Sequence, residues 1–153
     1  LLNEVIVMQK MMYLLFQESR KKKKINTYLN KFGHVMVQKY LHKVKNGDKR
    51  VFIINGKVKG AIRRKPKKGS NLSNISQGGV AQATKLNSRE LMISKIVARS
   101  LIKNNIFFAG IDLVDGYLIG DINVTSPTGL PQHKILTGIN LAEYFWDELE
   151  KLK

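Results

Sequence analysis

The sequence predicts an α+β domain whose sheet is mainly antiparallel. Two dipeptides carry this prediction, Asn55-Gly56 and Asp115-Gly116, because each separates two runs of strand-forming residues. Such dipeptides favour type I′ turns, in which both central residues take positive φ. Two capped helices with periodic apolar residues follow the two predicted hairpins, one after each. A chain of 153 residues with this order of elements suits one domain with a real core.

The first half of the chain contains a strand, a turn and the first hairpin. Residues 34–41 alternate apolar and polar side chains, which is typical of a half-buried strand. A Lys-Asn-Gly-Asp turn at 45–48 leads into the hairpin of residues 50–64. Residues 67–82 are rich in Gly, Ser and Asn and are predicted as a long polar loop, which in a compact domain is usually functional or disordered.

The second half contains two helices around the second hairpin. Asn87 is predicted to cap a helix that runs to about Lys103, with Glu90 closing a capping box. Residues 106–113 and 117–124 form the hairpin, and residues 126–138 are predicted as a Pro/Gly loop. Asn140 is predicted to cap the last helix. The apolar stripes assigned to the core are Met92, Ile93, Ile96, Val97 and Leu101 on the first helix, and Leu141, Phe145 and Leu149 on the second.

The whole excess of positive charge lies in the first part of the chain. Residues 1–68 carry 19 Lys and Arg against 3 Asp and Glu, whereas residues 69–153 carry 8 of each. This asymmetry suits an arm that binds nucleic acid, a solvated basic face, or a site for a polyphosphate ligand. Base-stacking aromatic residues are not interleaved with the basic runs, which disfavours nucleic acid.

Two further features limit the class of protein. No apolar run approaches the roughly 20 residues that a membrane helix needs. The chain has no cysteine, which excludes a disulfide framework and a thiolate metal site. Residues 1–32 show no clear strand or cap and are left unassigned.

The second hairpin carries the most informative polar residues. A regular two-residue turn at Asp115-Gly116 would place Gly110 opposite Asp121. Because side chains alternate, Asp112, Asp121 and Asn123 would then emerge on one face, with the two carboxylates diagonal neighbours roughly 7 Å apart. A few hard oxygen ligands suit Mg²⁺ that bridges phosphates. The alternative is that these side chains lie on a solvent-exposed face of the sheet and bind no metal.

Three arginines and two hydroxyls could bind anionic groups. Arg50, Arg63 and Arg64 could form bidentate pairs with carboxylate or phosphate oxygens. With a regular turn at Asn55-Gly56, Arg50 shares a face with Arg63, and a bulge would bring Arg64 there instead. The loop of residues 123–129 contains Ser126 and Thr128, although such loops are usually only turns.

Five segments, in this order, resemble bacterial glutathione synthetase. They are Gln38-Lys39-Tyr40-Leu41, Gly47-Asp48-Lys49-Arg50-Val51, Pro66 with Asn74 and Gly78-Gly79, Phe108-Ala109-Gly110-Ile111-Asp112, and Ile122-Asn123-Val124-Thr125-Ser126-Pro127-Thr128-Gly129. The likeness covers about Val35 to Leu149. The resemblance implies an ATP-grasp fold, here incomplete, with one lobe and part of the other. Residues 33–153 would be its carboxy-terminal part.

The resemblance also implies a reaction. In that family ATP phosphorylates the carboxylate of γ-glutamylcysteine, and the amine of glycine attacks the acyl phosphate. The expectation is therefore a cytoplasmic ATP-dependent C–N ligase that uses ATP and Mg²⁺, with Mn²⁺ as a substitute. Its partners would be these two substrates and further copies of itself in a homo-oligomer, without a membrane or nucleic acid.

The family's functional residues can be carried over onto the matching positions. The adenine pocket would be lined by Gln38, Lys39, Tyr40 and Leu41, with Asp48 near the ribose and Asn74 in a closing loop. Arg50 and Arg64 would contact the acyl phosphate or the peptide carboxylate. Mg²⁺ would be held by Asp112, Asp121 and Asn123, and the substrate end by Ser126 and Thr128.

The chain also departs from the family pattern. Asp121 stands where the family has the longer glutamate, preceded by Gly120 in place of threonine, and Leu72 replaces a loop arginine. Residues 1–32 do not match the family's phosphate-gripping loop, so they are expected to be disordered or the product of a frameshift. The chain is accordingly expected to be a truncated fragment with weak activity or none. The alternatives are a basic nucleic-acid-binding α+β domain and a fragment that folds poorly.

Overall fold

The chain forms two compact units, residues 1–42 and residues 43–153. The structure is a computed structural model, and it describes residues 4–9, 12–17, 21–39, 42–66 and 79–152. Each unit is considered by itself.

The first unit contains a three-stranded antiparallel sheet in the order β2-β1-β3. Its elements are β1 (Glu4–Gln9), β2 (Met12–Gln17), the helix α1 (Lys21–Phe32) and β3 (Met36–Lys39). Regular elements therefore occupy much of the segment that the sequence left unassigned. Short apolar runs such as Val5 to Met8 do not alternate, so periodicity alone cannot identify them as strands. The predicted strand over 34–41 is observed over Met36–Lys39.

The second unit is built on a five-stranded antiparallel sheet in the order β6-β5-β4-β7-β8. Both predicted hairpins are confirmed, and all four central turn residues have positive φ. The predicted loop over 67–82 is wrong at its end, where Val80 to Gln82 lie in β6, and residues 67–78 lie outside the described residues. A 3-10 helix (His42–Asn46) precedes the strands, which are β4 (Asp48–Ile54), β5 (Lys57–Lys65), β6 (Val80–Ala83), β7 (Phe108–Val114) and β8 (Tyr117–Asn123).

Three helices pack on this sheet, namely α2 (Ser88–Lys103), α3 (Leu130–Thr137) and α4 (Leu141–Glu150). The capping box of α2 and the Asn140 cap of α4 are confirmed. The loop predicted over 126–138 is wrong, because most of it forms α3. The Gly and Pro residues that suggested a loop lie at the ends of this helix. Gly129 precedes it and Gly138 follows it, both with positive φ, and Pro131 lies in its first turn.

The two faces of the sheet are covered by different helices. One core cluster joins alternate residues of β4 and β7, such as Val51 and Ile111, to Ala98 and Leu101 of α2. The other joins Phe52, Ile54 and Ile62 to Leu141 of α4. Because β4 is central and covered on both sides, Val51 to Ile54 form a continuous apolar run in which no residue is more than 1% exposed.

The apolar stripe predicted for α2 is partly wrong. Ile93, Val97 and Leu101 pack on the core as expected, but Met92 and Ile96 are 56% and 55% exposed. The buried line of the helix instead includes the small residues Ser94 and Ala98, which let the helix lie close to the sheet. Met92 and Ile96 are spaced by four residues, and so are Ile93 and Val97 on the neighbouring stripe. The spacing alone therefore could not show which of the two stripes faces the core.

Glu148 of α4 ties the helix to the first hairpin. Its buried carboxylate accepts hydrogen bonds from Lys151 Nζ at 2.9 Å, Asn55 Nδ2 at 2.9 Å and Lys57 Nζ at 3.3 Å. The bond from Lys151, then that from Asn55, lowers the pKa of Glu148 from 4.5 to about 2. A lowered folded-state pKa gives stability that is fully present above about pH 4.5 and is lost as the pH falls through about 2.

We therefore expect Glu148→Gln to weaken the acid sensitivity of the domain. The free energy of unfolding of the variant should fall less than that of the wild type between about pH 4.5 and pH 2. Urea titrations at a series of pH values would measure the difference. Glu150→Gln, on the exposed side of the same helix, should keep the wild-type pH dependence. Parallel pH profiles for the Glu148 variant and the wild type would contradict the assignment.

Candidate functional site

A bulge in the first hairpin decides which arginine faces the candidate site. The pairing of β4 with β5 shifts by one residue between Phe52 and Ile53, and Lys59 is left without a cross-strand partner. Beyond the bulge, Asp48 pairs with Arg64. The bulge proposed from the sequence is therefore confirmed.

The bulge places Arg64 on the same face of the sheet as Arg50. Arg63 lies on the opposite face, across from Lys49. On the next strand pair, Arg50 lies opposite Asp112. Two antiparallel pairings thus bring residues of β4, β5 and β7 together on one face, beyond the apolar cluster of Phe52 and its neighbours.

Asp48, Arg50, Arg64 and Asp112 form a buried ion-pair network. Arg50 Nε and Nη2 donate to the two oxygens of Asp112 at 2.5 and 2.9 Å. Arg64 Nε and Nη2 donate to the two oxygens of Asp48 at 2.7 and 2.9 Å, and Nη2 also lies 2.8 Å from Asp112 Oδ2. The four residues are only 3–7% exposed. Both guanidinium groups are therefore held rigidly by bidentate pairs.

The two carboxylates respond differently to this environment. Burial alone would raise the pKa of Asp112, but Arg50 and Arg64 together outweigh it and hold the pKa below the ordinary value. Burial raises the pKa of Asp48, whose bidentate partner is Arg64 and which is repelled by Asp112. Burial opposes the charge of Arg64, yet its pKa is raised by the two aspartates. Arg64 therefore stays charged.

Asp121 lies at the open edge of the network. Its side chain is 60% exposed, and its Oδ2 lies 3.8 Å from Arg50 Nη2. Its partial burial on the inner side, followed by the neighbouring Asp112 carboxylate, raises the pKa of Asp121. A carboxylate that is exposed to solvent and repelled by a second one is a position at which a cation would be stabilised.

The register predicted for the second hairpin is wrong in detail. Gly110 pairs with Asn123, not with Asp121, because β8 contains two extra residues between the pairs Leu113–Leu118 and Ile111–Ile122. An even number of extra residues preserves the alternation of side chains. Asp121 therefore still lies on the side of Asp112, but as a near neighbour rather than a diagonal one.

Asn123 organises the loop that follows β8. Its Oδ1 accepts hydrogen bonds from the backbone N–H groups of Thr125 at 3.2 Å and Ser126 at 3.0 Å, and from the Thr125 hydroxyl at 3.4 Å. Its Nδ2 donates to the carbonyl oxygen of Ser126 at 3.3 Å. The oxygen predicted to be a metal ligand is thus occupied by the loop. Ser126 and Thr128 are exposed on this loop.

Gly110 and Pro127 enclose the side chain of Arg50. A Cβ atom at Gly110 would lie 2.9 Å from Arg50 Cδ and 3.1 Å from Pro127 Cβ, so only glycine leaves room for the arginine stem. Arg50 Nη1 is buried and has no hydrogen-bond partner among the described residues. An unmade bond of this kind costs roughly 1–3 kcal/mol, which an anionic oxygen at this point would offset. Both residues belong to sequence motifs, but neither was assigned a role from the sequence.

Not all predicted site residues can be placed together. Gln38 and Lys39 lie in β3 of the first unit, whereas Tyr40, Leu41 and Asn74 lie outside the described residues. The structure brings together Asp48, Arg50, Arg64, Asp112 and Asp121, with Ser126 and Thr128 on the loop after β8.

The donor atoms present fit a hard cation that keeps most of its water. Among the described residues Asp112 Oδ1 accepts a hydrogen bond from Arg50 Nε and has room for a further partner, and the Asp121 carboxylate is exposed. Within the described ranges, no group of three His, Cys, Asp or Glu side chains is arranged to hold a metal ion. Two carboxylates without a full cage suit Mg²⁺ that binds together with phosphates. The described residues include no helix that is long and apolar enough to cross a membrane.

The chain is similar in sequence to curated glutathione synthetases. It is 46% identical over 109 residues to that of Prochlorococcus marinus strain MIT 9313, covering 71% of this chain and 35% of the relative. It is 41% identical over 115 residues to that of Rhodopseudomonas palustris (75% and 36%), and 34% identical over 142 residues to that of Agrobacterium fabrum (90% and 44%). The chain therefore spans between about a third and a half of the length of these relatives.

Solved structures confirm the predicted ATP-grasp fold. D-alanine–D-alanine ligase from Bacillus anthracis complexed with ATP matches with a TM-score of 0.59 at 16% identity, over 92% of this chain and 49% of that one. The ATP-grasp ligase PsnB matches with a TM-score of 0.67 at 12% identity, over 99% and 49%. At these identities the likeness concerns the fold alone.

A family description covers most of the chain. The model of the prokaryotic glutathione synthetase ATP-grasp domain matches residues 10–138. The match begins upstream of Val35, where the likeness was expected to begin. The chain belongs to the prokaryotic glutathione synthetase ATP-grasp family.

Proposed function

We propose that this chain forms the part of a glutathione synthetase-like ligase that binds ATP and Mg²⁺ and positions the reacting phosphate. The observation that carries this proposal is the buried network of Arg50, Arg64 and Asp112, bordered by the exposed Asp121. It offers fixed cations for anionic oxygens beside two carboxylates for a cation. The arginines of the network and the two carboxylates together suit a nucleotide that is bound as its metal complex.

The proposed reaction joins γ-glutamylcysteine to glycine. The carboxylate of the peptide attacks the γ-phosphorus of ATP, the bond to the β-phosphate breaks, and ADP leaves. The glycine amine then attacks the carbonyl carbon of the acyl phosphate, loses a proton, and expels phosphate as the amide forms. In both steps negatively charged molecules meet: the peptide carboxylate approaches ATP, and glycine approaches the acyl phosphate. The main contribution of the protein is therefore a set of preorganised cations that lowers this repulsion.

Arg50 and Arg64 suit this role because they are immobilised before a ligand binds. Each is bidentate to an aspartate, and Arg50 keeps the buried Nη1 without a partner among the described residues. Asp48 accepts two hydrogen bonds from Arg64 and thereby orients its guanidinium group. We also propose that Asp48 contacts the ribose. We place the acyl phosphate or the peptide carboxylate against these two arginines.

Asp112 and Asp121 would hold Mg²⁺, and Asn123 could join them only if its oxygen left the loop. The cation, or Mn²⁺ in its place, would neutralise phosphate oxygens.

The remaining assignments are carried from the family resemblance. They place Gln38, Lys39, Tyr40 and Leu41 at the adenine, Asn74 in a closing loop, and Ser126 and Thr128 at the substrate end. Residues 33–153 as the ATP-grasp portion, homo-oligomerisation and a cytoplasmic location also stay proposals. The relatives do not favour the alternative of a nucleic-acid-binding domain, since they are glutathione synthetases.

Calorimetric titration of ATP with and without Mg²⁺ tests the proposal. ATP should bind about tenfold more tightly with Mg²⁺, a difference of roughly 1.4 kcal/mol, and Asp121→Asn should remove this difference. Asp115→Asn is the matched control, because Asp115 lies in the turn of the same hairpin and pairs with Lys43. ATP binding that ignores Mg²⁺ would overturn the assignment. Tight, salt-sensitive binding of random duplex without preference for ATP would favour the nucleic-acid alternative.

A further inference from the structure

A small polar cleft lies on the α2 side of the second unit's sheet. It has a volume of about 250 Å³ and lies among the start of β4, the end of β5, the turn after β7 and the first turn of α2. Its charged lining residues are Lys49, Arg63, Arg89, Glu90 and Asp115. Arg63 lies directly opposite Lys49 across β5 and β4, whereas Arg64 and Arg50 lie on the other face of these strands. The cleft is therefore behind the candidate site, across the sheet.

The two carboxylates of the cleft are already engaged by lysines. Glu90 Oε2 lies 2.7 Å from Lys49 Nζ and also accepts a hydrogen bond from the backbone N–H of Asn87 at 2.8 Å. Asp115 Oδ1 lies 2.8 Å from Lys43 Nζ. Each acidic group therefore has a cation of its own, and the charges of the two arginines are left without a carboxylate partner among the described residues.

Arg63 is in an unfavourable environment unless an anion lies beside it. Its Nε is buried and has no hydrogen-bond partner in the part of the chain that the structure describes. Its neighbours on the adjoining strands are Gln82 and Lys49, and Lys49 carries a like charge. A buried donor without a bond and a like charge directly opposite are both destabilising. An anionic oxygen beside Arg63 would offset both.

Arg89 is positioned on the exposed side of the cleft by the second hairpin. Its guanidinium carbon lies 4.3 Å from the centroid of the Tyr117 ring. A Cβ atom at Gly116 would lie 3.5 Å from Arg89 Cδ, so the arginine stem passes close over the turn. These contacts restrict the side chain before a ligand arrives, which lowers the entropy cost of binding.

We propose that this cleft binds a free oxyanion of the size and charge of phosphate, with Arg63 and Arg89 as its donors. Their two uncompensated charges match a phosphate group, which carries about −1.5 to −2 at pH 7. A water molecule takes up roughly 30 Å³, so the cleft has room for one such anion and a few waters. It is smaller than the roughly 300–1,000 Å³ of sites for larger organic ligands. The proposal does not depend on the proposed ligase function.

Titration of the full chain with inorganic phosphate, followed by NMR at constant ionic strength, tests the proposal. The backbone amide signals of Gly47, Arg89 and Gly116 should shift together and reach saturation with one Kd. Arg63→Met should weaken this Kd by about tenfold or more, because a hydrogen bond from a charged donor is lost. Arg99→Met is the matched control, since it removes an exposed arginine of the same helix that does not line the cleft, and it should keep the wild-type Kd.

Further measurements separate this cleft from other anion sites. Phosphate bound at Arg50 on the other face would shift the amide of Gly110, and that shift should persist in Arg63→Met. Arg89→Met provides a second variant that should also weaken binding at the cleft, and circular dichroism would establish that each variant is folded. Acetate, with a single charge, should bind more weakly than phosphate.

Four results would overturn the proposal. They are cleft signals that do not saturate, cleft shifts that chloride reproduces at the same ionic strength, an unchanged Kd in both folded variants, and tighter binding of acetate than of phosphate.

Discussion

Gly47→Ala is expected to destabilise the second unit by more than about 4 kcal/mol, which is most of the stability of a domain near the lower end of the usual range of about 5–15 kcal/mol. Gly47 has a φ of +92°, and a Cβ atom there would lie 2.1 Å from the carbonyl oxygen of Arg64. The oxygen belongs to the backbone, so the overlap can be relieved only by moving β5 away from the start of β4. That movement would also separate Arg64 from Asp48.

Gly138→Ala is the matched control for this prediction. Gly138 also has a positive φ, +74°, but a Cβ atom there would meet no atom within 4 Å. Its substitution should cost only the backbone strain of about 1–2 kcal/mol. Urea titrations followed by circular dichroism would compare the two variants. Equal losses of stability would show that the close approach at Gly47 is not what makes glycine necessary there.

The local parts of this fold could be predicted from the sequence. The turns at Asn55-Gly56 and Asp115-Gly116 and the caps at Asn87 and Asn140 depend on residues that are adjacent in the chain, and all four are observed. The strands of the first unit could not be predicted because their apolar runs lack alternation. The short helix α3 could not be predicted because its Gly and Pro residues are equally typical of a loop.

The register of each hairpin could not be predicted from its turn. Type I′ turns fix the pairing only of the residues beside them, whereas a bulge depends on which side chains the rest of the sheet accommodates. The bulge at Lys59 turns Arg64 towards Arg50, and the extra residues of β8 bring Asp121 towards Asp112. A site that spans four strands is therefore determined by irregularities that leave little trace in the sequence pattern.

The shared face of two candidate residues could be predicted from the sequence, whereas the bonds that they make could not. Alternation correctly placed Asp112 and Asp121 on one side of the sheet. The engagement of Asp112 by two arginines depends on the pairing of β4 with β7, which are separated by about 60 residues of chain. Likewise, only the folded loop shows that the oxygen of Asn123 is used by Thr125 and Ser126.

Arg64→Met is expected to destabilise the second unit by roughly 3–5 kcal/mol, the typical cost of breaking a buried ion pair by removing one partner. Asp48 would then lose its bidentate partner, and Asp112 would keep only Arg50. Arg63→Met is the matched control, since Arg63 lies on the other face and has a buried Nε without a partner in the described residues. Its cost should stay within about 1 kcal/mol.

The pH dependence of this loss separates electrostatics from packing. The wild-type network lowers the pKa of Asp112, so its contribution is present above the ordinary value of 3.8 and is lost as the pH falls through the lowered one. Without Arg64, both aspartates should have higher folded-state pKa values, so they should become protonated at a higher pH than in the wild type. The difference in unfolding free energy between wild type and Arg64→Met should therefore be largest near neutral pH and shrink towards pH 4, as urea titrations at the two pH values would show. A pH-independent difference would mean that Arg64 contributes through its packed alkyl chain. In that case the network would not be the preorganised cation site on which the proposed phosphate chemistry depends.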